Sequence, residues 1–169
     1  MKTVLLMRHA EAHPEHDNQS DFDRTLTPDG EKMATLTCAI LRQHGINIRR
    51  IISSAAPRTL RTAQLVAAQA CPATPLVPLP ELYDAPTERL AHSLARHWCP
   101  DEDSIMLVAH NPGISGLMYR WSGRDLSVQP ATLLVLTADT DDWSRFVATP
   151  HQLSLFVQDA HVQNLDIGH

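Results

Sequence analysis

The chain is expected to fold as an α/β three-layer sandwich, with a largely parallel central sheet flanked by helices. Three observations lead there. Apolar runs of strand length, such as "VLLM" (4–7) and "SIMLVA" (104–109), lack the alternation of a half-exposed strand and read as strands covered on both faces. Amphipathic segments of helical length separate them. Polar pairs follow three of the apolar runs at once: Arg8-His9, Ser53-Ser54 and His110-Asn111. In open parallel sheets, loops leaving strand C-terminal ends gather at one rim, where ligands bind.

In chain order, Val4 to Met7 forms the first strand and breaks to charge at Arg8. Residues 8–26 have no helical or alternating period and read as a loop. In "LTPDGEKMATLTCAILRQHG", Thr27 can cap a helix, Pro28 suits its first turn and Gly45 falls just past its end. Met33, Leu36, Ile40 and Leu41 are its expected apolar stripe. "RRIISS" (49–54) is a second strand, and residues 57–70 a second amphipathic helix. Leu76 to Leu79, among three prolines, is expected at an edge. A helix over about 86–98 and the strand 104–110 follow, then a helix from Asn111-Pro112-Gly113 to about Trp121. Segments 131–138 and 143–148 read as a hairpin around Asp139 to Asp142. The tail from His151 adds a further strand.

A length of 169 residues suits one domain over 1–169. The formal charge of −5 argues against nucleic acid or an anionic membrane as partner. No apolar stretch approaches a membrane span, and the run before Arg8 is too short for a secretion signal. Cys38, Cys71 and Cys99 are odd in number and form no CxxC pair. Reduced thiols and a cytoplasmic location are the expectation.

The polar rim suggests its own chemistry. Arg8 and Arg58, with Arg24 as a third candidate, would make a fixed positive cluster that needs an anion, and guanidinium forks match phosphate oxygens in pairs. His9 and His110 could serve phosphoryl transfer through a covalent intermediate, a neutral imidazole attacking phosphorus while its surroundings neutralise the equatorial oxygens. Ordinary strand-end histidines would look the same, and patterning alone leaves both readings open. His9, His13 and His16 have helix-like spacing, but Pro14 disfavours a helix and Arg8 would repel a cation, so no metal or other cofactor is expected.

The motifs resemble those of the histidine phosphatase superfamily, the phosphoglycerate mutase-like group. "LLMRHAEA" is similar to its Arg-His-Gly signature, and "SSAAPRTLRTAQ" to its Ser-x-x-x-Arg-x-x-x-Thr-Ala motif, with Ser54, Arg58, Thr62 and Ala63 in register. "LPELYDA" resembles the segment with the acidic residue, and "MLVAHNPG" that with the second histidine. The chain departs from the pattern at Ala10, where glycine is usual, and at Ala55, where proline is common.

This resemblance implies that His9 is the nucleophile, that Arg8, Arg58 and His110 hold the phosphoryl group, and that Glu81 is the candidate proton donor. Asn111 and Ser54 would lie against the substrate. The chain lacks room for the lid insertions of the mutases. With "DFDRTLTPDGEKMA" it is most similar to the small bacterial phosphohistidine phosphatases, which places Arg24 near the phosphate. The implied activity is metal-independent hydrolysis of phosphohistidine on a phosphorylated protein, such as a histidine-containing phosphotransfer domain. Hydrolysis of a small phosphoester, or phosphate binding without turnover, are the alternatives.

Overall fold

The architecture follows from which strands are covered twice. In the computed structural model, which describes residues 1–70 and 72–163, β1 (Lys2–Arg8) and β4 (Ser104–Ala109) lie side by side and parallel at the middle of a seven-stranded sheet. Their apolar runs need no alternation because both faces are covered. Val4 and Leu6 enter one core layer and Leu5 and Met7 the other. Complete burial of each such side chain stabilises by about 1.5–3 kcal/mol.

The remaining strands are β2 (Ile51–Ser54), β3 (Leu76–Leu79), β5 (Leu133–Ala138), β6 (His151–Gln158) and β7 (His161–Val162). The sheet order is β3-β2-β4-β1-β5-β6-β7. β3, β2, β4 and β1 run parallel, whereas β5, β6 and β7 pair antiparallel, so the sheet is mixed. β3 takes the edge position that its prolines require.

The helices are α1 (Pro28–Gln43), α2 (Pro57–Ala70), α3 (Thr87–His97), α4 (Gly113–Ser122) and the short α5 (Trp143–Phe146). α1 and α2 cover one face of the sheet; α3, α4 and α5 cover the other. Thr27 caps α1 as expected, its Oγ1 accepting the Gly30 N–H at 2.9 Å. The stripe of α1 differs from expectation. Leu36 is exposed, and Gly30, Ala34, Thr37 and Cys38 join Ile40 and Leu41 in the buried face. Gly30 lies against the Glu11 backbone, where a Cβ would come within 2.1 Å of the carbonyl oxygen, a constraint that apolar periodicity does not report. No described helix is long and apolar enough to cross a membrane.

The hairpin at 131–148 also needs correction. Residues 143–146 form α5, begun by Asp142, whose carboxylate accepts the Ser144 N–H at 2.9 Å. β6 is the true partner of β5. Trp143 and Phe146 pack with Trp98 and Trp121 in an aromatic cluster. Buried Cys38 has its thiol pushed up to about 12 by desolvation, Cys99 is half-buried, and Cys71 lies outside the described residues.

Candidate active site

Register brings the rim together. β1 ends at Arg8 beside Ala109, and the His9 N–H bonds the Ala109 carbonyl at 3.1 Å, so His9 and His110 leave adjacent strands side by side. Their ring centroids are 5.3 Å apart. β2, on the other side of β4, delivers Ser54, and the helix that follows delivers Arg58. The His110 Nε2 lies 2.8 Å from Ser54 Oγ.

Each imidazole has a defined orientation. His9 Nδ1 donates to its neighbour's carbonyl, Ala10 O, at 2.7 Å, which leaves Nε2 with the lone pair. The backbone at Ala10 is held by Thr62, whose Oγ1 accepts the Ala10 N–H at 3.1 Å and donates to Arg58 O at 2.7 Å. Ala10 is fully buried and packs into the core at an ordinary negative φ, so alanine fits where the resemblance expected glycine. Burial is the main reason that His9 is lowered to about 4, and the positive charges of Arg58, Arg8 and Arg24 add to it. His110 is lowered to about 3, again chiefly by burial, then by His9 and Arg58. Both rings are therefore neutral at pH 7, the state a nucleophile requires.

The arginines meet, with an internal counter-ion the sequence did not disclose. Arg58 is 3% exposed and donates from Nη1 to Asp21 O at 2.7 Å and from Nη2 to Asp21 Oδ2 at 3.0 Å. Arg24 donates to the other oxygen, Oδ1, at 2.8 Å, and its Nε to His13 O at 2.6 Å. The Tyr83 hydroxyl donates to Oδ2 as well, and together these donors hold the Asp21 carboxyl well below the usual range. Arg8 donates from Nη1 to Val128 O at 2.9 Å, a carbonyl it shares with the Asn111 amide at 3.2 Å.

Among the buried side-chain nitrogens without a partner among the described residues, three lie at the rim: Arg8 Nε, Arg58 Nε and His110 Nδ1. Buried polar groups are ordinarily bonded. All three belong to groups whose charge acts on His9 or whose ring abuts it. Such a set suits an oxyanion with several equatorial oxygens.

Of the residues expected from sequence, Arg8, His9, Ser54, Arg58 and His110 converge, and Arg24 joins them through Asp21. Asn111 sits at the rim as a support of the Val128 carbonyl, its Oδ1 accepting from Ser115 at 2.5 Å. Glu81 lies in a 3-10 turn (Pro80–Leu82) that buries Leu82 and leaves Glu81 exposed, without a hydrogen bond or ion pair among the described residues. The carboxylate nearest the imidazoles in this segment is that of Asp84, with Oδ1 3.8 Å from His110 Nδ1. Asp21, Tyr83 and Asp84 were missed. Asp21 stands three residues before Arg24, a spacing that also fits an ordinary solvated pair. His13 presents its carbonyl to Arg24, while His16 is exposed. Among the described residues no group of three or more His, Cys, Asp and Glu side chains could hold a metal ion.

Comparison with known proteins bears on this rim. The model of the histidine phosphatase superfamily (branch 1) matches residues 4–85. A crystal structure assigned as the phosphohistidine phosphatase SixA of Agrobacterium tumefaciens superposes with a TM-score of 0.79 at 26% identity, covering 93% of this chain and 97% of that one. The protein histidine phosphatase SixA in complex with tungstate superposes with a TM-score of 0.76 at 20% identity, over 93% of this chain and 97% of that one, a likeness of fold. An uncharacterised protein of Picosynechococcus sp. is 29% identical over 142 residues, 79% of this chain and 83% of its own length.

Proposed function

This chain belongs to the histidine phosphatase superfamily and is a phosphatase, and from that premise we propose that it hydrolyses phosphohistidine on another protein, without a metal, through a phosphohistidine formed on His9. One observation carries the reading. A buried, neutral His9 with Nε2 free stands among N–H groups of Arg8, Arg58 and His110 that have no partner among the described residues.

In the first step the His9 Nε2 lone pair attacks phosphorus in line. The N–P bond to His9 forms as the P–N bond to the substrate imidazole breaks. The Nδ1–H, bonded to Ala10 O, carries the positive charge that develops on the ring. Arg8, Arg58 and the His110 Nδ1–H take the equatorial oxygens. Asp21 keeps Arg58 fixed through both Nη groups, so its Nε is aimed before substrate arrives. In the second step water attacks phosphorus, and His9 leaves as a neutral imidazole. Asn111 and Ser54 act by holding Arg8's carbonyl partner and His110. Arg24 acts by sharing Asp21 with Arg58. Glu81 stays a proposed proton donor only for leaving groups that need one, because protonated imidazole departs readily.

The choice of phosphohistidine draws support from the name of the Agrobacterium relative, and the choice of a protein substrate from the short chain between Arg58 and His110. Between Arg58 and His110 the described elements are α2 and α3, packed on the sheet, β3 and β4 within it, and the 3-10 turn Pro80–Leu82. The test mixes the protein with a phosphorylated histidine-containing phosphotransfer domain in excess EDTA and follows phosphate release. Release should persist in EDTA, an acid-labile phosphoenzyme should be trapped, and His9→Ala should abolish both. A higher kcat/KM for a small phosphoester than for the phosphoprotein would overturn the choice of substrate.

A further inference from the structure

The segment after β3 closes one side of the rim in an unusual backbone. Asp84 has φ +45°, a left-handed conformation that non-glycine residues adopt rarely and Asp or Asn most readily. That turn follows buried Leu82 and puts two consecutive side chains at the site. The Tyr83 ring meets the His110 ring edge-on at 5.5 Å, and Asp84 Oδ1 lies 3.8 Å from His110 Nδ1. The Phe22 ring meets Tyr83 at 5.1 Å from the opposite loop. The Asp84 side chain is 54% exposed, at the mouth and open to an incoming group.

The distance to His110 is too long for a hydrogen bond, so the Asp84 carboxylate retains acceptor capacity on the side from which substrate enters. A carboxylate here opposes a leaving group that departs as an anion, such as an alkoxide, since negative charge would build beside it. It favours a leaving group that carries a proton on a planar, cationic ring. We propose that Asp84, with the aromatic edges of Tyr83 and Phe22, forms a leaving-group subsite for a protonated imidazole, so that the site discriminates for phosphoramidates of imidazole against alkyl and aryl phosphates.

This rests on the phosphohistidine reading above and gives it a structural cause. In its imidazolium form phosphohistidine carries a proton on the ring nitrogen remote from phosphorus, and that N–H donates to Asp84 in a charge-assisted hydrogen bond. When His9 Nε2 bonds to phosphorus, the substrate P–N bond breaks and its electron pair returns to the imidazole. The proton stays on the remote nitrogen and the imidazole leaves neutral. The arrangement mirrors that of His9, whose own remote nitrogen donates to Ala10 O. Transfer then runs between two imidazoles in matched settings.

The experiment measures kcat/KM for phosphoimidazole and for p-nitrophenyl phosphate with wild type and Asp84→Asn, alongside the Kd for inorganic phosphate. Asparagine tolerates the left-handed backbone, and an unchanged melting temperature checks folding. Loss of one charge-assisted hydrogen bond should lower kcat/KM on phosphoimidazole by roughly 10- to 100-fold. The value for p-nitrophenyl phosphate, whose phenolate needs no proton, should hold or rise. An equal fall on both substrates, or none on phosphoimidazole, overturns the subsite while leaving the phosphohistidine reading intact. Wild type that turns over p-nitrophenyl phosphate but not phosphoimidazole overturns both.

Discussion

His110 Nε2 and Ser54 Oγ, 2.8 Å apart, tie the C-terminal ends of β4 and β2 together beneath the site. Ser54 is fully buried, and the same oxygen accepts the Ala56 N–H at 3.2 Å. The remaining hydroxyl proton can then be donated to Nε2, and with that assignment the His110 ring proton lies on Nδ1, as the proposed mechanism uses it. Ser54→Ala removes that constraint and strands a buried ring nitrogen, which should destabilise the protein by about 1–3 kcal/mol. Thermal unfolding would register it, and inorganic phosphate should bind more weakly in calorimetry.

Arg58 is held by a fork that lysine cannot reproduce, with both Nη groups on Asp21 and Nε left for the substrate. Arg58→Lys keeps the charge and loses the geometry. The expected result is a fall in kcat of roughly 10²- to 10³-fold, the effect of removing one preorganised oxyanion donor. Single-turnover phosphorylation of His9 checks it, and near-wild-type transfer would show that charge alone suffices.

Much of this site was legible because its residues are placed by strand ends. An unbroken apolar run must be covered on both faces, so the residue that ends it emerges at the rim, and this located Arg8, His9, Ser54 and His110. Asp21 and Asp84 were not legible for the opposite reason. They sit on loops whose paths depend on tertiary contacts, Asp21 on Arg58 and Tyr83, Asp84 on a left-handed turn. Glu81 matched a motif, yet the 3-10 turn spends its inward position on Leu82. The short helix at Trp143 was hidden because aromatic residues three apart suit a strand-rich reading as well as a helix.

The two histidines predict an acid-sensitive fold and a nucleophile that resists acid. His9 is lowered from the ordinary 6.5 to about 4 and His110 to about 3, while the unfolded chain protonates near 6.5. Between those values unfolding takes up protons, so the stability due to these rings is present above pH 6.5 and is lost as pH falls towards 4 and below. Denaturant melts should show stability declining over that window, and His9→Asn should flatten the slope. NMR titration of the ring protons should give no transition near 6.5 for either residue. Inorganic phosphate, as an opposite charge, should move both transitions upward.

A last prediction concerns the contact that seats the Tyr83–Asp84 turn against the sheet. Gly113 begins α4, and a Cβ built there would lie 2.1 Å from the Ala85 carbonyl oxygen and 3.1 Å from Leu90 Cδ1. The first neighbour is backbone and cannot swing away as a flexible side chain would. Thr87 Oγ1 further pins the segment by donating to Gly113 O at 3.0 Å. Gly113→Ala must therefore push the turn outward, and overpacking of this kind costs about 1–3 kcal/mol. The melting temperature should drop by roughly 2–4 °C for each kcal/mol in a chain of this size. The displacement carries Tyr83 and Asp84 away from His110, so turnover of phosphoimidazole should fall further than stability alone explains. Measuring kcat/KM well below the variant's melting temperature separates the two effects, and unchanged turnover there would show that the turn does not need its present seat.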